Sequence, residues 1–142
     1  MMNPHIIIKS VLTVTKIGKN DDLQILVQYT QRVYSKEFAQ IDVKIYDPIQ
    51  NKLKNFNQNY GFLTNTNVEI IILDANNEEF YSAVEITNDK GFVETEFYIP
   101  ERYPRESLTV IINAENENSK SSKILQIFTL GEVPSNNTSP PP

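Results

Sequence analysis

The stretch TNDKGFVETEFYIPERYP, residues 87–104, carries the clearest structural signal of the chain. It opens on a cluster of polar residues that is typical of a turn and ends with Gly91. From Val93 to Ile99 every second residue is apolar or threonine, and Pro100 then stops the pattern. A period of two is the mark of a half-buried strand, and proline cannot donate to a sheet. The stretch therefore predicts a turn followed by one strand.

The same period recurs along most of the chain, and clusters of Gly, Asn and Asp that favour turns separate the repeats. No segment has a strong helical period. Short strands at this spacing predict an all-β domain, folded as a sandwich or a barrel. The predicted strands are residues 6–17, 23–34, 38–48, 67–73, 79–87, 92–99, 108–115 and 123–130.

The length of 142 residues is that of one domain. We expect the folded domain to span residues 1–131, because residues 132–142 are rich in Pro, Ser and Asn and have no apolar face to bury. That tail predicts a disordered linker. The predicted core consists of Ile25, Val27, Ile41, Val43, Ile45, Val68, Ile70, Ile72, Val84, Phe97, Ile99, Val110, Ile112, Ile127 and Phe128.

Composition excludes several classes of function. The net charge of −5 argues against nucleic acid, since phosphate binding needs a basic patch. Cysteine is absent and His5 is the single histidine, which argues against thiolate zinc sites and Ser–His catalysis. No apolar run approaches the roughly 20 residues that cross a bilayer. We therefore expect no cofactor and no membrane insertion of this segment.

Three segments carry a resemblance to a known family. They are VKIYDP at 43–48, residues 64–100, and ESLTVIINAE at 106–115. Together they resemble the bacterial and archaeal immunoglobulin-like modules of surface proteins, of the macroglobulin and invasin types. The residues that match the recurring pattern are Thr87, Asn88, Asp89 and Gly91 in the turn, Ile99 and Pro100 at the strand end, and Leu108, Thr109, Val110 and Ala114 in the next strand.

The resemblance implies an immunoglobulin-like antiparallel β-sandwich of seven or eight strands. It also implies an extracellular or cell-surface location within a longer exported protein, and a structural or adhesive role without catalysis. The expected partners are then other proteins or neighbouring domains of the same chain. The family has no catalytic residues to transfer onto this sequence.

Two loops contain candidate binding residues. Asp74, Asn76 and Glu78 offer oxygen ligands of the kind that calcium prefers, although the same residues are typical of a plain hairpin turn. Phe56 and Tyr60 flank asparagine and glutamine amides, which is the chemistry of a carbohydrate site. The alternative is that this loop caps the core and leaves only Tyr60 at the surface.

Further candidates lie in the crossover and in the tail. Arg102 and Tyr103 are typical of protein-interface anchors, or else they form a rigid crossover between prolines. Asn136 and Asn137 begin overlapping N-x-S/T sequons, which matter only if the chain is exported. The acidic residues on the strands fit a solvated sheet face better than an acid–base pair. They are Asp42, Glu69, Glu85, Glu94 and Glu96.

The sequence therefore predicts a non-enzymatic module of a surface or secreted prokaryotic protein, used as a spacer or in adhesion or assembly. The alternative is a carbohydrate-binding module that uses the Phe56–Tyr60 loop on a polysaccharide. A cytosolic adaptor is a third class. Strand exchange through residues 6–17 is a further variant of the assembly role.

Overall fold

The computed structural model describes residues 23–51, 55–58 and 60–134. This part of the chain contains strands, turns and loops, and none of its segments is a helix long and apolar enough to cross a bilayer. The strands are β1 (Gln24–Tyr29), β2 (Arg32–Val33), β3 (Phe38–Tyr46), β4 (Asn67–Leu73), β5 (Glu79–Ile86), β6 (Phe92–Tyr98), β7 (Glu106–Glu115) and β8 (Lys120–Thr129).

The strands form two sheets that pack face to face. One sheet has three strands in the order β1-β3-β6, and the other has five in the order β2-β8-β7-β4-β5. Every pairing is antiparallel except that between the short β2 and the end of β8. This is an immunoglobulin-like β-sandwich, and the predicted fold class is confirmed.

The core lies between the sheets and follows the predicted alternation. In β3, for example, Ile41, Val43 and Ile45 are fully buried, while Asp42 and Lys44 point outward. The sequence prediction missed several members of the core, which include Leu23, Val33, Ala39, Tyr46, Val93, Leu108 and Ala114. It was wrong for Val84, which is 67% exposed, and for Phe128, which is 42% exposed. Phe128 points outward because Ile127 and Thr129 on either side of it face the core.

A β-bulge explains the error at Val84. Ile72 pairs with Tyr81, but the next residue of β4 pairs with Glu79, so Phe80 is an extra residue in β5. Phe80 and Tyr81 consequently both contact the core, where each ring packs against Phe97. An inserted residue reverses which face each later side chain occupies. Val84 is therefore turned to solvent.

The predicted strand at residues 23–34 is two strands in different sheets. β1 pairs with β3, and the chain then crosses at Thr30 and Gln31 so that Arg32 pairs with Phe128 of β8. Because the chain crosses from one sheet to the other here, this short segment supplies the edge strand of both sheets. The predicted strand at residues 6–17 lies outside the described residues.

The first and last described strands of the sandwich run in the same direction. At the start of β1, the Leu23 carbonyl accepts a hydrogen bond of 2.6 Å from the hydroxyl of Ser121, near the start of β8. At the other end, the Phe128 amide donates to the Gln31 carbonyl at 2.8 Å. The described part of the chain therefore begins at one pole of the sandwich and reaches the opposite pole at the end of β8.

Candidate functional site

The long loop between β3 and β4 is anchored by Tyr46. Its ring is fully buried, and its hydroxyl donates toward the carbonyl oxygens of Phe56, at 3.0 Å, and Gln58, at 2.8 Å. The signal for this anchor is that Tyr46 follows Ile45 directly, so that the last two residues of β3 are both bulky and buried. A buried hydroxyl needs such partners, so the strand and the loop fix one another.

Phe56 belongs to this anchored structure. The Lys44 ammonium donates to the Phe56 carbonyl at 2.9 Å and lies 5.0 Å from the centroid of its ring. The edge of the same ring meets Phe92, with the centroids 6.3 Å apart. Phe56 thus covers the outer side of the three-stranded sheet, and its ring is only partly available to a ligand.

Within residues 56–60, the described side chains divide between structural and exposed ones. Gln58 is 8% exposed, and its amide donates to the carbonyls of Gln50, at 3.5 Å, and Tyr60, at 3.2 Å. The Tyr60 ring is 56% exposed. The loop therefore presents Tyr60 on a support that Tyr46 holds in place.

Arg102 and Tyr103 occupy different environments. Arg102 is exposed, has φ of +62°, and donates its backbone amide to the Glu132 carboxylate. Tyr103 is half-buried, packs edge-on against Phe80 at 5.1 Å, and donates its hydroxyl to the Glu106 carboxylate. Arg102 is therefore a surface residue, whereas Tyr103 closes one end of the core.

The Asp74 loop is a tight hairpin turn. The Oδ1 atom of Asp74 accepts hydrogen bonds from the backbone amides of Asn76, at 2.8 Å, and Glu78, at 3.0 Å, and Asn77 has φ of +64°. Asn and Asp tolerate that left-handed conformation, and this explains why they occur here. Within the described residues, no three or more His, Cys, Asp or Glu side chains come together as a metal group. The calcium site stays a prediction.

The acidic side chains of the three-stranded sheet lie on its outer face. Asp42 is directly opposite Glu94, and the Gln40 amide donates to both carboxylates, at 3.0 and 3.2 Å. Gln40 thereby offsets the repulsion between like charges in register. Gln40, Glu94, Thr95 and Glu96 line an open concavity of about 490 Å³.

Glu85 differs from the expectation that the acidic residues point outward. Its register partner is Val68, which is fully buried, so Glu85 lies on the core side of the edge strand while remaining exposed. An inward-pointing charge on an edge strand hinders the addition of another strand. The single histidine, His5, and the sequon residues Asn136 and Asn137 lie outside the described residues.

Burial raises the pKa of two tyrosines. Burial alone raises the pKa of Tyr46. For Tyr103, burial raises the pKa first, then the hydrogen bond to Glu106, and then the negative charges of Glu106 and Asp74. The folded state therefore favours the neutral phenol at both positions. This stabilisation is complete below the unfolded-state pKa of about 10 and is lost as the pH rises above it.

We expect the free energy of unfolding to fall above about pH 10, because the unfolded chain then releases phenol protons that the folded chain retains. Urea denaturation at a series of alkaline pH values measures this fall. Tyr46→Phe and Tyr103→Phe should each make the fall shallower, whereas the exposed Tyr60→Phe serves as the control. An unchanged fall in both buried variants would contradict the assignment.

Comparison with known proteins shows no family for this chain. No family model matches the chain, and no curated protein matches it. Among solved structures, the β-glucuronidase of Parabacteroides merdae is 11% identical with a TM-score of 0.48, over 76% of this chain and 14% of that one. This chain is therefore much shorter than that enzyme.

Two further structures are similar to a comparable degree. The CARDB domain of a Pyrococcus furiosus protein, solved in complex with di-metal ions, is 13% identical with a TM-score of 0.45, over 78% of this chain and 89% of that one. A family 76 glycoside hydrolase from Bacteroides thetaiotaomicron is 16% identical with a TM-score of 0.39, over 77% and 20%. Identities this low transfer no site onto this chain.

Proposed function

We propose that this chain is a non-catalytic immunoglobulin-like module of a longer surface or secreted prokaryotic protein, where it spaces and joins neighbouring parts. The observation that carries the proposal is the path of the described residues, which runs from Leu23 at one pole to Thr129 at the opposite pole. Modules with this path extend a protein along one line. A strand of ten residues, such as β8, spans about 33 Å.

The contacts of the candidate residues agree with a scaffold. Phe56 and Tyr103 pack on other aromatic rings, and Asp74 caps its own turn. Their side chains maintain loops and the ends of the core. The macroglobulin or invasin type that the sequence resembles belongs to this proposal, as do the extracellular location and the expected protein partners.

Surface labelling of the source cells tests the proposal. Intact cells are treated with a membrane-impermeant amine reagent, the native protein is captured with an antibody against this domain, and its mass and label are determined. We expect a labelled protein heavier than the 16.3 kDa of this chain. An unlabelled protein of that mass in the soluble cell fraction would contradict the proposal and favour a cytosolic adaptor.

Carbohydrate binding is a second candidate because Tyr60 is 56% exposed on an anchored loop. An exposed aromatic ring can stack on a sugar. Affinity electrophoresis in gels that contain surface polysaccharides should then retard the protein, and Tyr60→Ala should abolish the retardation. Tyr98→Ala removes another exposed ring from a different part of the sandwich and is the matched control. Free migration on every polysaccharide would reject this candidate.

A further inference from the structure

The outer face of the five-stranded sheet carries an apolar row. Ile71 of β4, Ile111 of β7 and Ile124 of β8 are direct register neighbours, so they form a straight line across three strands. Ile124 is 66% exposed, and Ile71 and Ile111 are partly exposed. Leu73 lies beside the row on β4. We call this surface the isoleucine face.

The sequence of β4 is typical of a strand that is covered on both sides. Residues 70–73 read Ile-Ile-Ile-Leu without a polar interruption. Strands with both faces buried have such continuous apolar runs, whereas strands with one solvated face alternate. β3 in the other sheet does alternate, with Asp42 and Lys44 on its outer side. The isoleucine face therefore has the composition of a covered surface, although nothing in the sandwich covers it among the described residues.

The surroundings of the row resemble the rim of a protein interface. On one side, the Asn113 amide donates to Glu69 at 3.1 Å, and the Ser122 hydroxyl donates to Asn113 at 2.6 Å. On the other side lie Thr109 and Gln126. Protein interfaces have an apolar centre with a polar margin.

The symmetry of the row is compatible with a second copy of this chain as the occupant of the isoleucine face. The row has one isoleucine on each of three strands, with Ile111 in the middle. A two-fold axis that passes through Ile111 therefore brings the row onto the same row of a second copy, as an isologous interface requires. The charges of the face nearly cancel, although the whole chain carries −5. Among the described residues, its register positions hold Glu69, Glu79 and Glu115 against Arg32 and Lys120.

The size of the face sets the expected strength. The four long strands of this sheet lie about 4.8 Å apart and are roughly 25–33 Å long, so the isoleucine face covers about 500 Å² on one copy. A dimer that uses the whole face would bury about 1,000 Å² in total. Specific interfaces begin near that total area. We propose that the isoleucine face, centred on Ile111, is the contact surface of a weak homodimer, a role that goes beyond the proposed spacing function.

Sedimentation velocity of the full chain from micromolar to millimolar concentration tests the proposal. We expect the average mass to rise from 16.3 kDa toward twice that value. Ile124→Lys should weaken the association by at least about 10-fold, because burying an unpaired ammonium in the interface costs more than about 1.4 kcal/mol. Ile49→Lys makes the same change at a site that is 68% exposed in the long loop, and should leave the association unchanged.

A second variant, Ile111→Lys, places the charge at the centre of the face. Thermal unfolding of each variant at low concentration shows whether it is folded. A chain that stays at the mass of one copy at every concentration would overturn the proposal, as would self-association that both Ile124→Lys and Ile111→Lys leave at wild-type strength. Equal weakening by Ile49→Lys would also overturn it, because the contact would then not be this face.

Discussion

Gly91→Ala is expected to destabilise the domain by about 3 kcal/mol or more. Gly91 has φ of +66°, a conformation that costs an alanine roughly 1–2 kcal/mol. A Cβ atom there would also lie 2.7 Å from the Phe62 Cβ and 3.0 Å from the Ile45 carbonyl oxygen. Those neighbours are backbone or backbone-attached atoms, so the turn that contains Gly91 would have to move away from the long loop and from β3.

Gly131→Ala is the matched control for this change. Gly131 has φ of +78°, but its added Cβ would meet the Arg105 side chain, at 3.2 Å from Cγ, and that side chain can rotate away. The control should therefore lose only the conformational cost of about 1–2 kcal/mol. Urea denaturation of the two variants and the wild type gives the difference in free energy. Equal losses would show that the packing around Gly91 contributes nothing.

Ile70→Ala should destabilise the domain by about 3–4 kcal/mol, since truncating a buried isoleucine removes its packing and leaves a cavity. Ile70 is fully buried between the sheets. Ile71 is the next residue of β4, has the same side chain and lies on the outer face, so Ile71→Ala should cost less than about 1 kcal/mol.

Chemical denaturation at low protein concentration measures the two losses in the single chain. The comparison tests the assignment of faces in β4, because the two residues differ only in the side of the sheet they occupy. If Ile71→Ala proved as damaging as Ile70→Ala, the outer face of this sheet would have to be buried within the single chain.

Much of the sandwich could be predicted because alternation is a local property. In β6 and β7 the predicted core residues Phe97, Val110 and Ile112 do occupy inward positions. The sequence could not predict which residues of β5 face inward. Phe80, Tyr81 and Val84 are all suited to a core, and only the bulge opposite Ile72 determines which of them point into it. The bulge is a property of pairing between strands.

The candidate site was less predictable than the fold. The sequence shows which residue types are present, but not which ones are used for structure. The Phe56 ring packs on Phe92, which lies 36 positions away in the sequence, and the Gln58 amide is used by carbonyls of its own loop. The apolar row behaves similarly, because its three members belong to three strands and become neighbours only in the paired sheet. Contacts between segments that are distant in the sequence determine both the packing of the Phe56 ring and the composition of the apolar row.

The shared direction of β1, β2 and β8 has a mechanical consequence. If the described part of the chain is pulled from Leu23 and from the end of β8, the load passes through the contacts between the parallel segments, where the Phe128 amide donates to the Gln31 carbonyl and the Leu130 amide to the Val33 carbonyl. Because the pull runs along these strands, the bonds are loaded in shear and must break together rather than one after another. The described sandwich is thus arranged to resist extension as a unit.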